Sequence, residues 1–480
     1  MIPFKKLVAV SLLSVLCAAT TVAQTGSPRT YASDSIPSQR IEQYSDLAVR
    51  WMQQYLQIDT TNPPGNEARA TAWMKKILDD EGIENRVFEI APGRANLWAR
   101  LPATVPEGRR KRPIILLNHT DVVTSDPAHS SHPPFSGALD HGVLYGRGAQ
   151  DMKNEGLAQL VVLVMLKREQ QPLARDVIFL ATADEEATNI GVNWMMRHPE
   201  LLENAEYLIN EGGENREEQG RVLHVGLDTA EKSPYWVHLV AHGEPGHGSM
   251  PLADSAPNRL TRALNRVLAW ETPLQLLPVV ENYLKGRAPL ETGQHAAWFR
   301  DPRRAMNDPK FRAYVNSDRD LAYLFRNTIS LTMLGGSAQT NVIPPEAWAN
   351  LDVRLLPGED PARFHAELKH VINDPEITIE PIGAFFKANA APTDTALFRS
   401  IEKAAARYFP GARIFPVVTA GYNECQRYRE LGIVAYGFTP YASTEAEANT
   451  EHANDERLRM DQVRRAPRVL YDVVTGVAAP

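Results

Sequence analysis

The stretch that most constrains this chain is IFLATADEE at 178–186, an apolar run that stops abruptly at three consecutive carboxylates, Asp184, Glu185 and Glu186. A short apolar run bounded by a polar turn suits a buried strand of a parallel sheet. In open α/β sheets, ligands gather outside the carboxyl ends of such strands. Three adjacent acids there repel one another unless a cation is near. An acidic run alone also fits a solvated turn, so the rest of the chain has to decide between the two.

Up to about residue 211 the chain alternates helix and strand. Leu47, Trp51 and Tyr55 recur at helical spacing and predict a helix over 41–58, after a loose polar segment at 26–39. The proline-rich loop IDTTNPPGNE (58–67) follows, then a helix at 71–81 closed by Gly82 and a strand at 96–101. IILLNHTDVV at 114–123 reads as a strand that puts His119 and Asp121 on one side. A turn (144–149), an apolar helix (155–166), a strand (176–183), a helix (192–197) and a strand (207–210) ending at Glu211 complete the series. This order predicts an α/β domain, a largely parallel sheet with helices on both faces. After Asp228 the rhythm changes to strands at 235–241, 329–334, 347–355 and 377–382 with helices at 256–270 and 361–372, an inserted α+β layer. Longer elements then return, with a helix at 396–408, the segment 432–440, and a last helix from Met460. The expected division is a catalytic domain from 24–231 and 391–480, interrupted by a second domain at 232–390.

With 480 residues and a formal net charge of -7, the chain can fill a large core and has no basic excess to attract nucleic acid. Lys5 and Lys6, the apolar segment 7–19 and small residues near 21–23 form a secretory leader, with a mature start near Gln24. The expected location is periplasmic or secreted, with no membrane association once the leader is removed. Beyond the leader, Cys425 is the one cysteine, so no internal disulfide is available and the core must hold the fold.

Five residues, each following or close to an apolar strand, could supply a paired metal site: His119, Asp151, Glu186, Glu211 and His452. Carboxylates with one imidazole per ion suit two Zn²⁺, with Co²⁺ or Mn²⁺ able to substitute, and Asp151 can bridge. Two ions about 3.5–4 Å apart activate a bridging water and clamp a tetrahedral intermediate, which suits amide hydrolysis. Glu185, beside a ligand but free of the metal, would move the proton. Asp121 would accept from the His119 imidazole and fix its tautomer.

These residues lie in motifs that resemble the aminoacylase, acetylornithine deacetylase, succinyl-diaminopimelate desuccinylase and glutamate carboxypeptidase family of zinc metallopeptidases. IDTTNPPGNE looks like its entry segment, NHTDVV its first ligand motif, YGRGAQDMKNE its bridging-aspartate motif and TADEE its base-ligand pair. NEGG, GEPGHGSMP, TNVIPPEAWANLDVR and TEHANDE follow in the family's order. The resemblance implies that His119 and Glu211 hold one ion, Glu186 and His452 the other, with Asp151 between and Glu185 as general base. It implies an inserted lid that closes over a substrate carboxylate. His247 matches the lid histidine that steadies the oxyanion across a dimer, and Arg354 and Asn341 match residues that grip the carboxylate. A homodimer through the lid is compatible with this.

The chain departs from the family at AGYNECQRY (420–428), where a Gly-Thr-Asp type segment is common, and carries extra length between Trp270 and Phe325 that could line the pocket or alter dimer contacts. Arg147 and EGRRKR (107–112) read as turn support and a solvated loop, and His242 as structural. The expected activity is release of an amino acid with a free carboxylate from N-acyl amino acids or short peptides. A metal-dependent dipeptidase or aminopeptidase is the alternative. A noncatalytic binding protein would need a lost ligand or base, and none is lost.

Overall fold

The computed structural model describes residues 31–383 and 385–480; the expected leader (1–23) and expected mature start near Gln24 lie outside the described residues. The first part of the chain forms helices α1 (Ser38–Leu56), α2 (Ala68–Asp80), α3 (Lys153–Arg168) and α4 (Ile190–Met196). Its strands are β1 (Glu84–Ala91), β2 (Arg94–Leu101), β3 (Ile114–His119), β4 (Val177–Thr182), β5 (Tyr207–Asn210), β6 (Glu214–Glu218) and β7 (Arg221–Glu231). A second layer contributes β8 (Val237–His242), β9 (Thr328–Gly335), β10 (Glu346–Leu355) and β11 (Ile377–Pro381), with α5 (Ala256–Leu268), α6 (Pro278–Arg287) and α7 (Pro361–Ile372). The chain then returns through α8 (Ala396–Tyr408), β12 (Arg413–Thr419), β13 (Val434–Gly437) and α9 (Met460–Ala478).

The main sheet runs β1-β2-β4-β3-β5-β13-β7-β12, with β6 also on β7. Its centre, β4-β3-β5-β13, is parallel, whereas β1, β2 and β6 pair antiparallel. Every residue of β3 and β4 is buried, because both faces are covered. Leu116 and Phe179 enter a core shared with α1, α3 and α9, while Leu117 and Leu180 point the other way among Trp98, Val192 and Tyr428. That alternation explains why the strands read as continuous apolar runs. Each large side chain so buried contributes about 1.5–3 kcal/mol.

The parallel register decides where the site lies. His119 pairs with Thr182, so the end of β3 and the turn after β4 emerge at the same edge, and β5 delivers Glu211 there as well.

The second layer is a five-stranded antiparallel sheet, β8–β11 with the short strand Ser233–Pro234 beside β10, and α5 and α7 pack on one face. Burial alternates strictly along β10, the pattern of a sheet covered on one side.

Three details correct the sequence reading. Residues 31–37 are not loose: Ser33 is buried and gives its backbone N–H and hydroxyl to Asp472 on α9, at 3.1 and 2.9 Å. β1, β7 and β12 are strands that polar or proline-bearing sequence concealed. The segment between Trp270 and Phe325 is helical and covers the edge strand β12, where the Tyr283 and Phe415 rings meet edge to face at 5.5 Å. It supplies no residue to the cavity at the edge where His119, Glu186 and Glu211 emerge. Covering the edge protects unpaired backbone groups, which its polar composition did not suggest. No described helix is long and apolar enough to cross a membrane.

Candidate metal centre

Asp151 stands between two imidazoles. Its Oδ1 is 3.0 Å from His119 Nε2 and its Oδ2 is 2.9 Å from His452 Nε2. His119 Nε2 also lies 3.4 Å from Glu211 Oε2, and His452 Nε2 lies 3.4 Å from Glu186 Oε1. Each imidazole therefore faces one carboxylate of its own and shares Asp151 with the other. All five residues expected as ligands converge.

Electrostatics show what such a cluster needs. Burial, reinforced by Asp151 and Glu186 and opposed by His119, pushes the Glu211 carboxyl up to about 8. The carboxylates of Asp151 and Glu186 hold His452 up to about 11. Burial works against charge on Asp151, but the two imidazoles outweigh it and hold that carboxyl below its ordinary range. The groups thus compete for protons in place of a stronger cation. Glu186 Oε1 is buried, and its contact with His452 Nε2 at 3.4 Å falls short of hydrogen-bond geometry. Two imidazoles and three carboxylates, one of them with a buried oxygen that lacks a full hydrogen bond, fit a pair of divalent ions.

Glu185 lines the same cavity, about 420 Å³ in volume. Burial and the neighbouring charge of Glu211 raise its carboxyl well above the usual range. A base poised in that way is suited to accept a proton.

The turn that presents Glu185 and Glu186 is held from below. Asp121 accepts the backbone N–H of Glu185 on Oδ1 and that of Glu186 on Oδ2, both at 3.1 Å. This modifies the expected role of Asp121: the His119 Nδ1–H finds the Asp121 backbone carbonyl at 3.1 Å, nearer than the carboxylate at 3.5 Å. Asn62 donates to Asp121 and to Asp184, each at 2.8 Å. Asp184, in the left-handed region at φ 69°, also accepts from the backbone of Thr188 and Ile190, and Arg94 links it to buried Glu67. Asp184 is the turn's support, and Asn62, Arg94 and Glu67 are functional neighbours that sequence reasoning missed. Asn62 and Glu67 lie inside IDTTNPPGNE, which was the available signal.

Glu456 does the same for the Asp151 loop. Its carboxylate accepts the backbone N–H groups of Gln150 at 2.7 Å, Gly148 at 3.0 Å and Asp151 at 3.1 Å, and pairs with buried Arg147. Arg147 thus supports more than a turn. Glu456 also went unassigned, although TEHANDE contains it.

The second layer does not reach this cavity within one chain, since His247, Asn341 and Arg354 are absent from its lining. His247 is exposed and pairs with Val342; its Nδ1 accepts the Ser249 N–H at 3.1 Å, which leaves the proton on Nε2. Gly248 donates to the Asn341 carbonyl at 2.8 Å, so Asn341 and His247 belong to one loop pair. Arg354 is held by Asp352 at 2.8 Å and lies over Trp236. His242 is a surface residue facing Glu346, and Cys425 is a buried free thiol.

Imidazoles and carboxylates gathered where β3, β4 and β5 end, with a further acid, Glu185, beside them, define a metal-dependent hydrolase acting on amide bonds. Residues 115–476 match the peptidase family M20/M25/M40, and the chain belongs to that family. Aminoacylase-1 of Mus musculus is 27% identical over 441 residues, covering 90% of this chain and 94% of that protein. The M20 family metallo-carboxypeptidase Sso-CP2 of Sulfolobus solfataricus superposes with a TM-score of 0.65 at 17% identity, over 89% of this chain and 98% of the other. The di-peptidase Dug1p of Saccharomyces cerevisiae gives 0.66 at 13% identity, over 91% and 98%.

Proposed function

We propose that the protein is a two-zinc amidohydrolase that releases an amino acid with a free carboxylate from N-acyl amino acids or short peptides. The single observation that carries this is the position of Asp151 between His119 and His452, each with its own carboxylate. His119 and Glu211 would hold one ion, Glu186 and His452 the other. Bound there, the ions would acidify a water and polarise the scissile carbonyl. Glu185 takes the proton as the water oxygen bonds to the carbonyl carbon. It returns that proton to the amine nitrogen as the C–N bond breaks. Asp121 and Glu456 fix the two loops, so that neither the base nor the bridging carboxylate has to be reoriented during turnover.

The second layer acts as a lid in this reading. His247 carries a free Nε2–H suited to the oxyanion, and Arg354 and Asn341 would take the substrate carboxylate once the lid closes. An exposed His247 outside its own chain's cavity favours a homodimer in which it serves the neighbouring site. The N-terminal leader supports export to the periplasm or beyond. The test is a panel of N-acyl amino acids and dipeptides, assayed with metal analysis on the same sample. The reading requires cleavage that tracks a content of two zinc ions per chain. No cleavage by the fully loaded protein would refute it.

A further inference from the structure

Two tyrosines stand among the described residues that line the catalytic cavity, and neither has a role in the chemistry above. Tyr441 is buried, and its hydroxyl donates to the Asn154 carbonyl at 2.6 Å. Tyr422 keeps part of its surface open, but its hydroxyl oxygen is buried, with no hydrogen-bond partner among the described residues. The side-chain surface that Tyr422 offers to the cavity is therefore carbon. Beside it lies unfilled space: apart from its chain neighbours, a Cβ on Gly421 would meet only the Thr419 methyl, at 3.7 Å. The Tyr422 ring is also firmly backed. Phe386, which is not part of the lining, packs against it with centroids 6.2 Å apart and planes tilted by 31°, and the Arg427 guanidinium covers Phe386 at 4.2 Å. Arg427 is fixed in turn by Asn193 at 3.2 Å and Glu430 at 3.3 Å. The Phe386 carbonyl accepts from the Ser233 hydroxyl.

A rigid apolar wall in an otherwise polar cavity stabilises a ligand that covers it with apolar surface, and a second ring adds a stacking contribution. Position decides which half of the substrate reaches it. Phe386 belongs to the linker that returns from the second layer, between β11 and α8. The outgoing linker passes the same place, where the Lys232 backbone N–H donates to the Thr419 carbonyl at 3.0 Å. Tyr422 thus stands where the second layer joins the catalytic domain. In the amidohydrolase reading that layer grips the substrate carboxylate, so the amino acid that bears the carboxylate extends toward it. We propose that Tyr422 is a specificity-determining residue whose ring packs against the side chain of the released amino acid and favours an aromatic one. This rests on the amidohydrolase reading above and narrows its substrate class. It also gives a purpose to AGYNECQRY (420–428), where the chain departs from the family pattern.

The test uses the zinc-loaded full chain and two substrate series, N-acetyl-L-amino acids and glycyl-L-amino acids, each with alanine, leucine and phenylalanine as the released residue. In whichever series is cleaved, phenylalanine should exceed alanine in kcat/KM by about tenfold or more. That ratio should fall by about tenfold in Tyr422→Ala, chiefly through KM, and should survive in Tyr422→Phe, which keeps the ring. Equal or reversed preference in the unmodified protein, an unchanged ratio in folded Tyr422→Ala, or an equal loss on every substrate overturns the proposal and leaves the amidohydrolase reading intact. A loss in Tyr422→Phe as large as that in Tyr422→Ala assigns the effect to the hydroxyl and also overturns it. So does an effect confined to the acyl half, read from N-phenylacetyl-L-alanine against N-acetyl-L-alanine. Cleavage of no substrate at full metal content overturns both readings. If Tyr422→Ala does not fold, Tyr422→Leu decides the matter: the ratio of phenylalanine to leucine should fall by about threefold or more, and an unchanged ratio overturns the proposal.

Discussion

The carboxylate of Glu456 accepts the backbone N–H of Asp151 at 3.1 Å, so the loop that carries the bridging ligand is anchored by a residue from the far end of the chain. The same carboxylate pairs with Arg147, and both side chains are almost fully buried. Removing one partner leaves an uncompensated buried charge and frees the loop.

Glu456→Ala should therefore cost about 3–5 kcal/mol of stability. It should also weaken metal binding by about 10–100-fold. Denaturant unfolding and equilibrium dialysis on the same preparation check both effects. Full metal affinity in a folded variant would remove Glu456 from the site's support.

The Arg94 pairings make a second, separable prediction. Its guanidinium lies 2.6 Å from Glu67 and 2.7 Å from Asp184, both buried. Arg94→Ala leaves two acids unpaired beneath the turn of Glu185, and a loss of about 3–5 kcal/mol is expected. Arg94→Lys should recover only part, because one ammonium cannot reproduce the fork that spans both carboxylates. Unfolding midpoints of the two variants measure this.

The pH response should reverse sign with metal. His452 is held up to about 11 by Asp151 and Glu186, against an ordinary 6.5, so its contribution to the metal-free fold is full below pH 6.5 and declines as pH rises toward 11. Glu211, raised to about 8 chiefly by burial, acts in the same direction: its carboxyl favours the folded state below its ordinary 4.5, and that benefit is lost as pH passes 8. Metal binding needs these groups deprotonated and so strengthens with pH. Between pH 6 and 8, raising the pH should lower the cluster's contribution to the stability of the metal-free protein and strengthen metal binding. Thermal melts with and without Zn²⁺, together with proton release measured by calorimetry in two buffers, test the reversal.

The ligands were legible in the sequence because each follows or adjoins an apolar strand, and parallel strands bring such ends together. His119, Glu186 and Glu211 depend on that rule alone. The supports were less legible. Glu456, Asn62 and Arg94 act through contacts between remote segments, and no local period or spacing marks a residue that hydrogen-bonds another segment's backbone. Asp121 was recognised as a support, but the identity of the groups it holds required coordinates. β1 and β12 escaped because ENRVFEIA is half polar and RIFPVVT contains a proline, features tolerated at the two edges of a sheet. The helical cover over β12 was hidden by its own polar, proline-bearing sequence.

A dimer in which His247 serves the neighbouring site predicts complementation. His247→Ala and Glu185→Ala chains should each be inactive, and mixing them should restore part of the activity, since a mixed dimer contains one site with both groups. Size-exclusion chromatography and mass analysis confirm that mixed dimers have formed. No recovery in confirmed mixed dimers would place His247 outside the reaction or within its own chain's site.

The account stands most directly on the separation of Glu185 from the ligands beside it. Turnover and metal content of Glu185→Ala, measured on one zinc-loaded sample, test it. Two ions per chain with kcat lowered by about 10²–10⁴-fold is the predicted result. Unmodified turnover at the same metal content would contradict it.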